Sequence, residues 1–479
     1  MSYDRDAFFI GGQWVKPATT ARIAVISPST EKVIGSVPDG SAADVDAAVA
    51  AARQAFDTSE WPWLSPAERA RHMLALAREM NRTVAETAET ITAEMGSVIS
   101  YTRIGQAPAP IAMLEYYAGL ADSLSLSQER AGAMGKWTVV KEPVGVVGAI
   151  VPWNGPIFLA MYKLAPALLA GCTIVLKPAA ESPLSSYLLA EAAERAGLPA
   201  GVLNIVAGGR ETGQHLVRHP GVNKIAFTGS TAAGKWIMAQ CANDLKRVTL
   251  ELGGKSPAIV LDDVDLDAVL GELVFAVTQN NGQICVSNSR MLVPRSRKKE
   301  IVDAMSAAFA AVPVGDPFDE ASVVGPLVAE RQRDRVMGFI DGARADGATI
   351  TQGGERPAGL ERGWYVQPTV VADVDPGMSI AREEVFGPVL SVIEYTTEDE
   401  AIAIANDTVY GLGAGIFSTD LDRAGQLARR VRAGTVNINR HITDFYLPFG
   451  GYKQSGIGRE GGPEAIASYL ETKVIGPLA

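Results

Sequence analysis

Residues 144–178 read VGVVGAIVPWNGPIFLAMYKLAPALLAGCTIVLKP, and the reading of this stretch decides the fold. Up to Leu176 it carries one charge, Lys163, and invites interpretation as a membrane span. The break Pro152-Trp153-Asn154-Gly155-Pro156 argues against that, because a lipid-exposed helix could not satisfy the backbone groups it frees. The stretch reads instead as a buried strand (Val144–Val151), a turn, a buried helix (Pro156–Ala170) and a second strand (Thr173–Leu176). Pro156 suits the first turn of that helix and Gly171 its end.

Working outward, the alternation continues to Gly254. The apolar runs Val202–Val206, Lys224–Phe227 and Val248–Leu250 are separated by helical patterns at Leu184–Ala196, Glu211–Arg218 and Ala232–Ala242. Short apolar runs between helices are the mark of βαβ units on a parallel sheet. A second alternating block begins near Pro257, with strands at Ala258–Leu261, Arg290–Val293, Val389–Tyr395, Gly415–Phe417 and Val436–Ile438. Its helices are expected at Leu266–Gln279, Lys298–Ala311, Ala401–Asn406 and Leu421–Val431. Ahead of both blocks, helices are expected at Ala42–Phe56, Pro66–Met95 and Ile104–Leu120. Two α/β blocks meeting near Leu252–Lys255 predict a cleft at their seam.

The 479 residues suit about three structural units, and 47% hydrophobic with 20% charged residues is ordinary for a soluble globular chain. The net charge of −11, with no basic run, offers no footprint for nucleic acid or an anionic membrane. Three cysteines cannot form a disulfide framework and fit a reducing compartment, the cytoplasm. Met1–Phe9 carries Asp4, Arg5 and Asp6 and does not read as a signal peptide. The four histidines show no metal-ligand spacing and no nearby Ser–His pair.

Gly229-Ser-Thr-Ala-Ala-Gly-Lys235 nearly matches a P-loop, but Trp236 stands where that motif needs Ser or Thr for Mg²⁺. What remains is a strand-to-helix turn whose helix begins at Ser230. It is either a plain Ser cap or an anion-binding helix N-terminus. Cys172 and Cys241 read as small buried hydrophobes. Cys285, preceded by the polar run Asn280-Asn-Gly-Gln283, is balanced between that role and a nucleophile in a cleft. Glu251, before Leu252-Gly-Gly-Lys255, is a paired buried acid or a general base, and the two glycines permit close backbone approach. Asn154 is a helix cap or an amide donor to a developing oxyanion.

Together the pieces resemble the aldehyde dehydrogenase superfamily. In order they are Pro152-Trp-Asn154, Lys177-Pro178, Phe227-Thr-Gly-Ser230, Leu250-Glu-Leu-Gly-Gly-Lys255, Gly282-Gln-Ile-Cys285, Glu383-Glu-Val-Phe-Gly-Pro388 and Pro448-Phe-Gly-Gly-Tyr-Lys453. The resemblance implies two Rossmann-like open-sheet α/β domains with a small β-flap for oligomerisation. Cofactor binding falls to residues 1–120 and 142–251, catalysis to 252–454, and the flap to 121–141 and 455–479, giving a homodimer or homotetramer. It also implies oxidation of an aldehyde to the acid with hydride transfer to NAD. Cys285 would be the nucleophile, Asn154 the oxyanion donor and Glu251 the base that activates water. Lys177 and Glu384 would bind ribose hydroxyls, Trp153 and Ser230 the pyrophosphate region, and Phe386 would pack near the nicotinamide ribose. No metal is implied.

Two departures from the family pattern bear on specificity. Ala180 stands where many NAD-specific relatives carry Glu, with Glu181 next, so NAD is expected with NADP use left open. Gly155 stands where an aromatic residue is common, which should widen the substrate tunnel. Leu159, Tyr162, Ile284, Val286, Phe445 and Tyr446 are expected to line it, with Arg440 and His441 nearby but no cation clearly placed to clamp a carboxylate. The expected substrate is a medium-to-large apolar or aromatic aldehyde. The alternatives are a coenzyme A-acylating semialdehyde dehydrogenase, a cofactor-free thiol hydrolase and a non-catalytic NAD-binding protein.

Overall fold

The 144–178 stretch forms the strand Val146–Ile150, the helix Pro156–Ala170 and the strand Thr173–Lys177. Every residue of that helix except Phe158 is buried, which explains its near-continuous apolar text. Gly171 ends it in the left-handed conformation at φ +93. Lys163, the one charge of that helix, is buried with its ammonium on Glu460 Oε1 at 2.7 Å and Thr228 Oγ1 at 2.6 Å.

The chain is seen in a computed structural model that describes residues 3–478. Met1, Ser2 and Ala479, at the ends of the N-terminal and flap segments read above, lie outside the described residues. Two open sheets organise it. The eight-stranded sheet runs Gly456–Ile457, Arg247–Glu251, Lys224–Thr228, Val146–Ile150, Thr173–Lys177, Leu203–Ile205, Phe8–Ile10, Gln13–Val15. Its five central strands are parallel and both edges are antiparallel. The seven-stranded sheet runs Thr349–Gln352, Thr369–Ala372, Val389–Tyr395, Arg290–Pro294, Pro257–Val260, Gly413–Phe417, Thr435–Ile438. It is parallel except at the first pair. Separate apolar clusters cover the two faces of each sheet, as strands buried on both sides require.

Two helical segments differ from the expected runs. Pro66–Met95 is two helices that meet at Thr83, whose hydroxyl bonds back to the Met80 carbonyl. Such local side-chain bonding competes with helix continuation. The segment expected as Ile104–Leu120 opens with a π-helical turn, Thr102–Gln106, closed by the Ala107 N–H on the Thr102 carbonyl at 3.0 Å. The helix Pro108–Gly119 follows; Pro108 and Pro110 have no N–H with which to continue the regular ladder.

A three-stranded sheet of Ser127–Gly132, Gly135–Pro143 and Leu470–Leu478 stands apart from the other two. Its last strand begins at Leu470, so 455–469, grouped with the flap in the sequence, lies elsewhere. Gly456–Ile457 pairs with Leu250–Glu251 on the eight-stranded sheet, and Ala465 and Ile466 of a short helix are buried in the main core. Among the described residues, no helix is long and apolar enough to cross a membrane.

Candidate active site

In the eight-stranded sheet the chain leaves Val146–Ile150 to one side for Thr173–Lys177 and Leu203–Ile205, then returns to the other side for Lys224–Thr228. Ligands of such sheets bind where the order reverses, at the carboxyl ends of the strands. A cleft of about 620 Å³ opens there, lined by Trp153, Lys177, Ala180, Glu181, Arg210 and Ser230 among others. Ser230 caps the helix Thr231–Ala242, its Oγ accepting from Ala233 N at 3.3 Å. The turn is a Ser cap, and the helix N-terminus it caps faces the cleft. Lys177 Nζ donates to the Pro178 and Gly208 carbonyls at 2.5 and 2.7 Å, and burial brings its pKa down to about 8. Glu181 is ion-paired with Arg331. Cationic Lys177, the helix terminus and the apolar walls Val217, Trp236 and Ile237 fit an adenine dinucleotide.

A second cavity of about 420 Å³ holds Cys285 and Asn154 together. Cys285 is half-buried, and its thiol pKa is pushed up to about 12 by desolvation first, then by the charges of Glu384 and Glu251. The backbone N–H groups of Cys285 and Val286 partly offset this. The loop before the sulfur is held in an unusual shape. Asn280, Asn281 and Gly282 are all left-handed, at φ +52, +61 and +73. Asn281 pays back this strain by bonding to the Gly96 and Pro326 carbonyls and accepting from Gly325 N. Asn154 Nδ2 donates to the Gln283 carbonyl at 2.9 Å, which leaves its second amide hydrogen free of that bond.

The remaining residues sit around the seam. Glu251 ends the strand Arg247–Glu251, buried, with neither carboxylate oxygen hydrogen-bonded. Its pKa stands well above the usual carboxylate range, through burial and then the nearby Glu460 charge, against the opposing pull of Lys163 and Arg459. Its Oε1 faces Gly450, where a Cβ would come within 2.6 Å, and Glu251 does not line the Cys285 cavity. Glu384 accepts from Gly254 N at 3.0 Å, and burial brings it up to about 7. Phe386, at φ +64, meets Trp153 edge-on at 5.3 Å. Glu384 and Phe386 line neither cavity.

The cavity wall follows the sequence reading closely. Gly155, Leu159, Tyr162, Ile284, Val286 and Phe445 all line it, whereas Tyr446 stacks behind Phe445 at 4.7 Å. A Cβ at Gly155 would lie 3.3 Å from Leu159, so the glycine keeps this wall open. Sequence reasoning missed Tyr101, Gln106, Glu272, Phe275 and Gln279, and it left Arg440 and His441 outside a wall to which both belong. Glu272 accepts from His441 N at 3.0 Å, and desolvation lowers the His441 ring to about 4. The Asn-Asn-Gly run was the available signal for a strained loop, since these residues tolerate positive φ best.

A dinucleotide cleft at a topological switch point, sharing a seam with a thiol-bearing aromatic cavity, places the protein among nicotinamide-dependent dehydrogenases. The family model for the aldehyde dehydrogenase family matches residues 14–475, and the chain belongs to that family. It is 48% identical to a geranial dehydrogenase of Castellaniella defragrans, over 99% of each chain. It matches a Mycobacterium tuberculosis aldehyde dehydrogenase complexed with NAD⁺ at a TM-score of 0.97 and 48% identity, over 99% of this chain and 98% of that one. A mutant aldehyde dehydrogenase C of Pseudomonas syringae, in complex with NAD⁺ and octanal, matches at 0.96 and 43%, over 99% and 98%. The chain is an NAD-dependent enzyme that oxidises aldehydes.

Proposed function

We propose that the enzyme converts a medium-to-large apolar or aromatic aldehyde to its carboxylic acid, in the cytoplasm, through Cys285, Asn154 and Glu251. The observation that carries this reading is that Cys285 and Asn154 line one aromatic cavity that backs onto the dinucleotide cleft. The Cys285 thiolate attacks the carbonyl carbon, forming a C–S bond, and the oxyanion takes hydrogen bonds from the free Asn154 amide hydrogen and the Cys285 backbone N–H. NAD held in the cleft supplies the hydride acceptor. Lys177 and Glu384 would hold its ribose hydroxyls, Trp153 and Ser230 its pyrophosphate region, and Phe386 would pack near the nicotinamide ribose.

The acyl group then rests on Cys285 as a thioester. Glu251 takes a proton from water, whose oxygen attacks the thioester carbon and releases the acid and the thiol. Its carboxylate must first rotate from its place beside Gly450 toward Cys285.

The aromatic walls Phe158, Tyr162, Phe275, Phe445 and Phe449 support an apolar substrate, as does kinship with enzymes named for geranial or complexed with octanal. Ala180 and the neutralised Glu181 support some NADP use. The outermost strand Ser127–Gly132, exposed throughout, supports subunit contact through the three-stranded sheet in a homodimer or homotetramer.

The test is turnover of octanal, benzaldehyde, acetaldehyde and a quaternary-ammonium aldehyde, with product analysis in the presence and absence of coenzyme A. Preference for the first two and release of free acid support the reading. Preference for the cationic aldehyde, or formation of an acyl-coenzyme A, overturns it.

A further inference from the structure

Three buried amides connect the π-helical turn to the reaction centre. Gln106, at the end of that turn and 4% exposed, donates from Nε2 to Asn280 Oδ1 at 3.0 Å and to Ser97 Oγ at 3.2 Å. Asn280 Nδ2 donates in turn to the Asn154 backbone carbonyl at 2.8 Å. Asn280 stands five residues before Cys285 in the same strained loop. The chain of amides therefore ties the Cys285 loop to the Asn154 loop.

The direction of these amides follows from chemistry. The Asn154 carbonyl can only accept, so Asn280 must present its NH₂ there and its oxygen to Gln106. Gln106 must then present its NH₂, which leaves its own Oε1 without a partner. A buried acceptor left unpaired is costly, and it marks the orientation as enforced by the neighbours. Without the Gln106 donor, Asn280 Oδ1 loses its partner and is left buried and unsatisfied, so the side chain is held at one end only, by the Asn154 carbonyl. π-Helical turns occur often at functional sites, and this one delivers Gln106 to Asn280.

We propose that Gln106 is a positioning residue for the oxyanion donor, acting through Asn280 on Asn154. This rests on the oxyanion role proposed for Asn154. Its positioning effect is read in kcat, because a displacement of about 1 Å at a reacting centre can cost around 100-fold in rate; Gln106 also lines the substrate cavity, so a change in KM is expected beside it.

The experiment is a double-mutant cycle of Gln106→Leu and Asn154→Ala, with kcat, KM and NAD binding measured for each. Gln106→Leu is expected to lower kcat by about 10–100-fold with little change in NAD affinity, since Gln106 does not line the cofactor cleft. In the Asn154→Ala background it is expected to add less than about twofold, because residues acting through one another are not additive. Full additivity, or unchanged kcat in Gln106→Leu, overturns the proposal. Unchanged kcat in Asn154→Ala would instead overturn the oxyanion role on which it rests. Gln106→Glu provides a second reading should the leucine variant fold poorly. A carboxyl group can donate to Asn280 only when protonated, so its kcat relative to wild type is expected to fall as pH rises, and a ratio independent of pH contradicts the relay.

Discussion

Gly254 lies directly against the backbone carbonyl of Cys285, where a Cβ would come within 2.3 Å of the oxygen. The same glycine donates its N–H to Glu384, and a Cβ at the neighbouring Gly253 would meet the Glu384 carboxylate at 2.5 Å. The glycine pair thus lets the seam between the two sheets close on the nucleophile loop. Gly254→Ala must displace that loop, and kcat/KM is expected to fall by about 100-fold with the circular-dichroism spectrum unchanged. Steady-state kinetics check this; activity within threefold of wild type would show that the contact is dispensable.

In the proposed mechanism Glu251 carries the hydrolytic step. Glu251→Gln is expected to keep the first turnover of reduced nicotinamide and to slow steady-state acid release by about 10²–10⁴-fold, the usual range for a general base. Rapid-mixing absorbance separates the two phases. Acid formation that survives undiminished removes Glu251 from the mechanism.

The Cys285 thiol is raised to about 12 by burial and then by the Glu384 and Glu251 charges. A raised thiol pKa means that the reactive thiolate grows with pH, so site-specific alkylation of the unliganded protein is expected to rise about tenfold per pH unit from neutrality to pH 10. Glu251→Gln removes one of the opposing charges once that carboxyl, itself held well above the usual range, has ionised, and is expected to speed alkylation most at the alkaline end of that range. Mass spectrometry distinguishes Cys285 from Cys172 and Cys241. A plateau near pH 8 contradicts the electrostatic picture.

At the adenosine end, Arg331 neutralises Glu181, and Ala180 offers no carboxylate. Ala180→Glu places a negative charge where a 2′-phosphate would lie. The variant is expected to lose about tenfold or more in kcat/KM for NADP while changing little for NAD. An unchanged NADP-to-NAD ratio would place the discrimination elsewhere in the cleft.

Much of this fold was legible because its central strands are buried on both faces and its helices begin and end on proline and glycine. The Pro156–Ala170 helix and the Val389–Tyr395 strand fall where their apolar text places them. The hairpin Phe8–Ile10 with Gln13–Val15 was overlooked although Gly11-Gly12 marks it, with φ +61 and +76. The Thr349–Gln352 and Thr369–Ala372 strands are only four residues each and lie between polar loops, too short for a period to show. The cavity residues Tyr101, Gln106 and Glu272 were not legible for a different reason. Tyr101 and Gln106 sit on segments far from Cys285 in sequence, and Glu272 sits on the helix Leu266–Thr278 just before the Cys285 loop, where nothing in its local text marks the face that turns to the cavity.

The most direct measurement is the absorbance of reduced nicotinamide when wild type and Cys285→Ala meet octanal and NAD, with NAD binding to both proteins confirmed by titration. The expected result is a steady rise with wild type and none with Cys285→Ala at equal cofactor occupancy. A rise that persists in Cys285→Ala would contradict covalent catalysis at this cysteine.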